Sequence, residues 1–303
     1  MYNLGGTDLS IFNFTPTVEA GSDVALSGFL DMPSRLGKTS HNWASEDGEE
    51  PYISAADIAL GGFSGRILVL IGVIRGTDQY DANDKVNALH ALIDSFTGFV
   101  SFATDWKNYQ VCVNEAVVGE KLASGLVKIA IPMIEPVVSL VGTIPTPTSA
   151  QFGIDGISFS QLGGVTLQLS GDRLTRPTPK KEDVTVYGKE SVVITKKQSA
   201  VLNLQLAIKD STISGLLSKV QTLMALFSNP GLRQLTYEGD RLRSFYVKDG
   251  FKASNIHLYT NEKFCVIDVK LIDAGVAGTF TSLTDTLGQL ITDNTNNIIT
   301  VRI

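Results

Sequence analysis

Apolar positions along the chain follow two periods, and the order in which those periods occur is repeated. Arg66–Arg75, RILVLIGVIR, predicts a strand of continuous apolar character. A polar turn, Gly76–Tyr80, follows. Over Asp81–Phe96 the residues Val86, Leu89, Ile93 and Phe96 recur at three- and four-residue spacing, which is the period of a helix with one apolar stripe. Gly98 stands just beyond, where a helix end favours a left-handed residue. Strands are then expected over Phe99–Phe102, Tyr109–Val118 and Leu126–Met133.

The second half has the same order. Ala200–Lys209 alternates Leu202, Leu204, Leu206 and Ile208 on one face, as a half-buried strand does. Asp210 and Ser211 make the turn. Thr212–Ser228 predicts a stronger helix, with Ile213, Leu216, Leu217, Val220, Leu223, Met224 and Phe227 on one stripe. Asn229-Pro230-Gly231 ends it, because proline cannot continue a helix and glycine tolerates positive φ. Strands Leu232–Tyr237, Leu242–Lys248 and Lys263–Ile272 are expected next, with His257 in a loop between strands.

The two glycines beyond the helices are 133 residues apart, and the openings of the matching strands, Arg66 and Ala200, are 134 apart. Upstream, Gly6-Thr7-Asp8-Leu9-Ser10 corresponds loosely to Gly153-Ile154-Asp155-Gly156-Ile157. The reading is a duplicated unit over 1–143 and 152–273, joined by a Pro- and Thr-containing linker at 144–151. The alternative is two strand–helix–strand units without common origin. Residues 30–61 form a long polar segment inside the first unit, and 274–303 form a C-terminal arm, an edge strand or a frayed tail. One helix per largely antiparallel sheet makes the fold class α+β and β-rich.

Charged residues make up 18% of the chain, against about 25% in ordinary soluble domains. A shortage of charge points to surface that becomes interface. The net charge of −6 argues against a nucleic-acid reader, which needs a basic face. Two cysteines exclude a disulfide scaffold or a Cys-rich zinc site and are expected as reduced, buried thiols in strands. The longest pure apolar run, Ile67–Ile74, is too short to span a bilayer, and MYNLGGTDLS lacks the basic-then-apolar order of an export signal.

Motifs for chemistry fail individually. Gly37-Lys38-Thr39 resembles the end of a phosphate loop, but Met32 stands where the first glycine belongs. Gly62-Phe63-Ser64-Gly65 is followed by Arg66 where a nucleophile elbow needs glycine. His41, His90 and His257 have no partner at metal-ligand spacing. Glu46, Asp47, Glu49 and Glu50 lack the ligand order of a calcium loop and read as a solvated loop. Asn13-Phe14-Thr15 fits a glycosylation acceptor by chance. Trp43, Tyr52 and Trp106 would stack on sugar only if clustered. No catalytic, cofactor or metal residue is therefore nominated, and the chain is expected not to be an enzyme.

The strand–turn–helix–strand order of 66–136, closing on Pro132-Met133-Ile134-Glu135-Pro136, and its repeat over 200–273, with Pro230-Gly231-Leu232-Arg233 after the helix, resemble the tail-tube fold of long-tailed bacteriophages. Within that fold the likeness is greatest to distal tail proteins of siphophage baseplates. The segment with Asn42-Trp43 and Glu46-Asp47-Gly48-Glu49-Glu50 is similar to tail proteins from phages and prophages of Bacteroides-type hosts. A distal tail protein has one tube-like domain and a different C-terminal module, whereas this chain has two tube-like units, so a duplicated tail-tube or hub protein stays open, as does a carbohydrate-binding adhesion module. The resemblance implies two antiparallel sandwich- or barrel-like units and a homo-oligomeric ring, a hexamer in preference to a trimer. It also implies contacts with tail tube protein and a tip or hub protein. DNA would pass through without specific binding, there would be no membrane contact, and the place would be the virion tail after synthesis in the bacterial cytoplasm.

Overall fold

The computed structural model describes residues 1–18, 21–37, 61–113, 115–148, 150, 152–170, 180–186, 189–196, 200–237, 240–273, 280–282 and 300–302. Near the start, Gly5 and Gly6 both hold positive φ, 59° and 86°. Two such residues make a tight turn whose twist suits a hairpin, so β1 (Asn3–Leu4) folds back on β2 (Thr7–Asp8). A 3-10 turn over Leu9–Phe12 is capped by the Asp8 carboxylate, which accepts the Ser10 amide. Strands β3 (Phe14–Pro16), β4 (Leu26–Ser27) and β5 (Arg66–Arg75) follow.

Helix α1 (Gln79–Asp94) starts two residues before the apolar period does, because Asp78 accepts the amide of Asp81 and fixes the first turn. It also ends early. Ser95 closes the last turn with its amide on Ala91 and Leu92 and its hydroxyl on Leu92, so the end carbonyls need no left-handed residue and Gly98 does not hold positive φ. Next come β6 (Val100–Ala103), β7 (Asn108–Val111), β8 (Val118–Ala123) and β9 (Leu126–Glu135). The single strand expected over Tyr109–Val118 is two. Only one bridge, Cys112 with Ile134, extends β7 before the chain turns away.

The second half contains β10 (Gly153–Ile154), β11 (Ile157–Ser158) and β12 (Gly164–Ser170), then a hairpin of β13 (Lys180–Val186) and β14 (Lys189–Lys196). Strand β15 (Val201–Asp210) leads to α2 (Ile213–Ser228), whose N-cap Thr212 accepts the Gly215 amide through Oγ1. Strands β16 (Arg233–Tyr237), β17 (Asp240–Tyr246), β18 (Phe251–His257) and β19 (Lys263–Asp273) complete the sheet. His257 thus ends a strand instead of lying in a loop. Of the arm, β20 (Phe280–Ser282) and β21 (Thr300–Arg302) are described, and they pair with each other.

Pairings in the two halves correspond. β1 pairs with β2 and β6, as β10 pairs with β11 and β16. β6 pairs with β7 as β16 does with β17. The order β3-β5-β9-β8 matches β12-β15-β19-β18. Every pairing is antiparallel, and with two α-helices among the described residues the fold is a β-rich α+β fold. One difference stands out. β17 joins β19 at Phe245–Asp273 and Tyr246–Ile272, giving one eight-stranded sheet, while the first half remains as sheets of four and five strands.

Helix burial follows a constant offset. Ala82 and Leu89 in α1 and Leu216 and Leu223 in α2 are 134 residues apart pairwise, and all four are fully buried. Lys85 and Lys219, at the same offset, each donate to the carbonyl that ends or nearly ends the preceding strand, Arg75 and Lys209. The α2 stripe is core throughout Leu216, Val220, Leu223, Met224 and Phe227, whereas Val86, Ile93 and Phe96 near α1 are only half-buried.

The halves share one core and are sewn together by residues 22–36. Asp23 donates its amide to Ile256, Leu26 pairs with Leu70, Met32 donates to Phe251, and Arg35 donates to Lys248. This strap crosses from one half to the other and back, so the described start of the polar segment 30–61 is not a solvated loop: Leu30, Met32 and Arg35 are buried. Residues 136–148 are also held down. Gln221 donates to the Ser139 carbonyl, Thr222 to that of Thr143, and Leu140 and Ile144 pack on the core.

Candidate assembly surface

Strand β5 is apolar on both faces, which is unusual for a sheet with one face in water. Leu68, Leu70 and Ile74 face the core. Ile67, Val69 and Ile71 face outward, opposite Ile134, Pro132 and Ala130 of β9, and Ala130 is in turn opposite Val118 of β8. The result is three registered rows of apolar side chains on an outer sheet face. Ile67 is 54% exposed and Val118 66% exposed. The rows end in charge, where Lys128 of β9 meets Glu120 of β8.

Strand β8 lies at the end of that sheet with every residue exposed. An edge of this kind presents unpaired backbone groups to another strand. Its register shift between Lys121 and Ala123 and its charged Glu120 and Lys121 limit indiscriminate pairing.

Beneath the face the sheet is stiffened by a buried ion pair. Arg66 Nε lies 2.6 Å from Glu135 Oε2, with both side chains almost completely covered. Arg66 also sits 5.8 Å from the Tyr109 ring centre, and burial raises the Tyr109 hydroxyl well above its ordinary range. Tyr109 accepts the Trp106 indole N–H at 3.1 Å. Trp106 packs on Tyr2, Phe29 and Tyr259, with ring centres 5.4 to 6.5 Å away. It packs where the two halves meet, between Tyr2 and Phe29 of the first and Tyr259 of the second.

The other sequence candidates are dispersed. His90 lies on α1. His257 stacks on Phe264, with Nδ1 3.9 Å from Asp23 Oδ2. Cys112 and Cys265 are free thiols, and burial pushes Cys265 up to about 12. Asn13 is in the left-handed region and donates to the Arg75 carbonyl, which gives it a turn role. Gly37 and Gly62–Gly65 lie beside the strap: Leu36 donates to Gly62, and Ser64 donates to Ser34. Lys38, Thr39, His41, Asn42, Trp43, Glu46, Asp47, Glu49, Glu50 and Tyr52 lie outside the described residues. Among the described residues no group of three or more His, Cys, Asp or Glu could hold a metal ion, and no helix is long and apolar enough to cross a membrane. The outer face of β5, β9 and β8 was not singled out from sequence, although the unbroken apolarity of 67–74 was its signal.

No family model and no curated protein matches the chain. A solved structure that aligns with it is that of Dit (gp 19.1) from phage SPP1, described as a hub adsorption apparatus protein of phages infecting Gram-positive hosts. The alignment covers 89% of this chain and 98% of that one, at 11% identity and a TM-score of 0.34.

Proposed function

We propose that this protein is a structural component of a long-tailed phage tail, built from two tail-tube-like units in tandem and assembling into a ring. The observation that carries the reading is the apolar outer face of β5, β9 and β8 beside the open edge of β8. A single chain leaves that face in water, and closure of a ring would cover it while pairing the edge. Matched pairings in the two halves support the duplicated unit. The sequence resemblance to distal tail proteins supplies the position, a ring that continues the DNA channel and joins the tube to tip proteins. A net charge of −6 suits a channel that passes DNA without holding it. If both units lay in one layer, three chains would supply six positions. With one unit facing the channel, six chains are needed, and the resemblance favours six.

The test is the mass and symmetry of the purified chain, by light scattering and electron microscopy. A ring with a central channel is expected. It should persist in about 0.5 M salt, where surface ion pairs are screened, because apolar contact and backbone pairing hold it. A monomer, or a two-fold particle without a channel, would reject the reading.

A further inference from the structure

The outer face of the second sheet differs in character from that of the first. At the places held by Val69 and Ile71 in β5, β15 has Asn203 and Gln205, and at those of Pro132 and Ala130 in β9, β19 has Lys270 and Asp268. Neighbouring strands extend the exchange. Gln168 of β12 is opposite Gln205, Gln205 is opposite Asp268, and Asp268 is opposite Lys252 of β18. A second row runs from Ser170 through Asn203 to Lys270. These two rows border a groove of about 410 Å³.

The groove crosses four strands, from Gln168 and Ser170 of β12 over β15 and β19 to Lys252 of β18, with side-chain positions repeating at the strand spacing of about 4.8 Å.

We propose that this groove binds a neutral oligosaccharide laid across the strands. Two acids, Asp249 and Asp268, balance two lysines, Lys252 and Lys270, so the site has no net charge to attract an anion. Gln168, Asn203 and Gln205 add amides, which both donate and accept, as sugar hydroxyls do. Gln205 Nε2 donates to Asp268 Oδ1 at 2.8 Å, which sets the two groups side by side and leaves Gln205 Oε1 and Asp268 Oδ2 as acceptors. A peptide adding as a strand would use a sheet edge and apolar pockets instead of a polar face. The proposal is independent of the tail reading, since oligomeric state does not depend on it.

The experiment is a printed array of neutral and anionic bacterial oligosaccharides, probed with the full chain and with Asn203→Ala/Lys270→Ala and Gln205→Ala variants. Near-ultraviolet circular dichroism and melting establish that the variants fold. Binding restricted to neutral glycans is expected, with a loss of at least tenfold in each folded variant. Absence of binding to every printed glycan, binding to anionic glycans only, or binding unchanged in the variants would each overturn it. Should the double variant fail to fold, Gln205→Ala alone decides.

Discussion

Arg35, from the first half, donates through Nη2 to the carbonyl of Phe227 at 2.7 Å, at the C-terminal end of α2 in the second half. The same guanidinium reaches Val247 and Asn229 and lies 4.8 Å from the Phe63 ring centre. A cation at a helix C-terminus meets the negative end of its dipole and the carbonyls that lack partners within the helix. Burial lowers the Arg35 pKa without discharging it.

Arg35→Met should therefore destabilise the whole chain by about 1–3 kcal/mol, because carbonyls of the second half lose a donor in a dry place. Lysine should not restore it, since one ammonium cannot reproduce the fork. Urea unfolding followed at both halves is the check. A single shared transition moving to lower urea is expected; movement of one half alone would show that the strap does not couple them.

Two carboxylates should give opposite pH signatures. Asp210 accepts from Lys219 and from the Thr212 amide, which lower it to about 2. Its contribution is present above the unfolded value near 3.9 and is lost as pH falls from about 4 to about 2. Asp31 is raised, first by burial, although it accepts the Ala253 amide. The unfolded chain ionises first, so stability falls as pH rises from about 4 toward the raised value and stays lower above it. Asp31→Asn keeps the acceptor, so the variant should be more stable than wild type at pH 7 and equal to it below about pH 4. Melting temperatures across pH 3–8 test this. A variant less stable at pH 7 would mean that the carboxylate charge, with Lys252 and Arg66 nearby, matters more than its burial.

Leu223→Ala should cost about 2–5 kcal/mol, since the side chain is fully buried and its loss leaves a cavity. Ile93→Ala should cost about 1 kcal/mol, in keeping with half-burial on the weaker helix. Equal losses would contradict the difference between the two stripes.

Elements set by local pattern were legible in the sequence. β5 has the predicted bounds, and five of the seven apolar residues on the α2 stripe are core, with Ile213 and Leu217 half-buried at its start. Elements set by distant pairing were not. β18 reads FKASNIH, with only Phe251 and Ile256 deeply buried at its ends. It is a strand because β19 pairs with one side and the strap, more than 200 residues earlier, bonds along it. Nothing in the local pattern marks Asp23 and Asp31, whose carboxylates accept amides of Leu258, Tyr259 and Ala253. Gly231 holds φ of 86° at the end of α2 as its position requires, while Gly98 does not, since Ser95 had already satisfied α1. For the candidate surface, the sequence contained the signal in the apolarity of both faces of β5, but only the register places Val118 and Ala130 beside Ile71.

That register gives the decisive test of assembly. Ile67 and Val118 are largely exposed in the single chain, so placing charge there should change its stability by less than about 0.5 kcal/mol. In an interface the same charge would be buried without a partner, at a cost of several kcal/mol per contact. A ring repeats each contact around its circumference, so the penalty multiplies. Ile67→Asp/Val118→Lys should therefore leave the circular dichroism of the chain unchanged while shifting the particle toward monomer in light scattering, its melting falling only by the stabilisation that assembly supplies. Ile67→Leu, which preserves apolar character, should assemble normally. If the charged variant forms the same ring as wild type, the outer face of β5, β9 and β8 is not the surface that closes it.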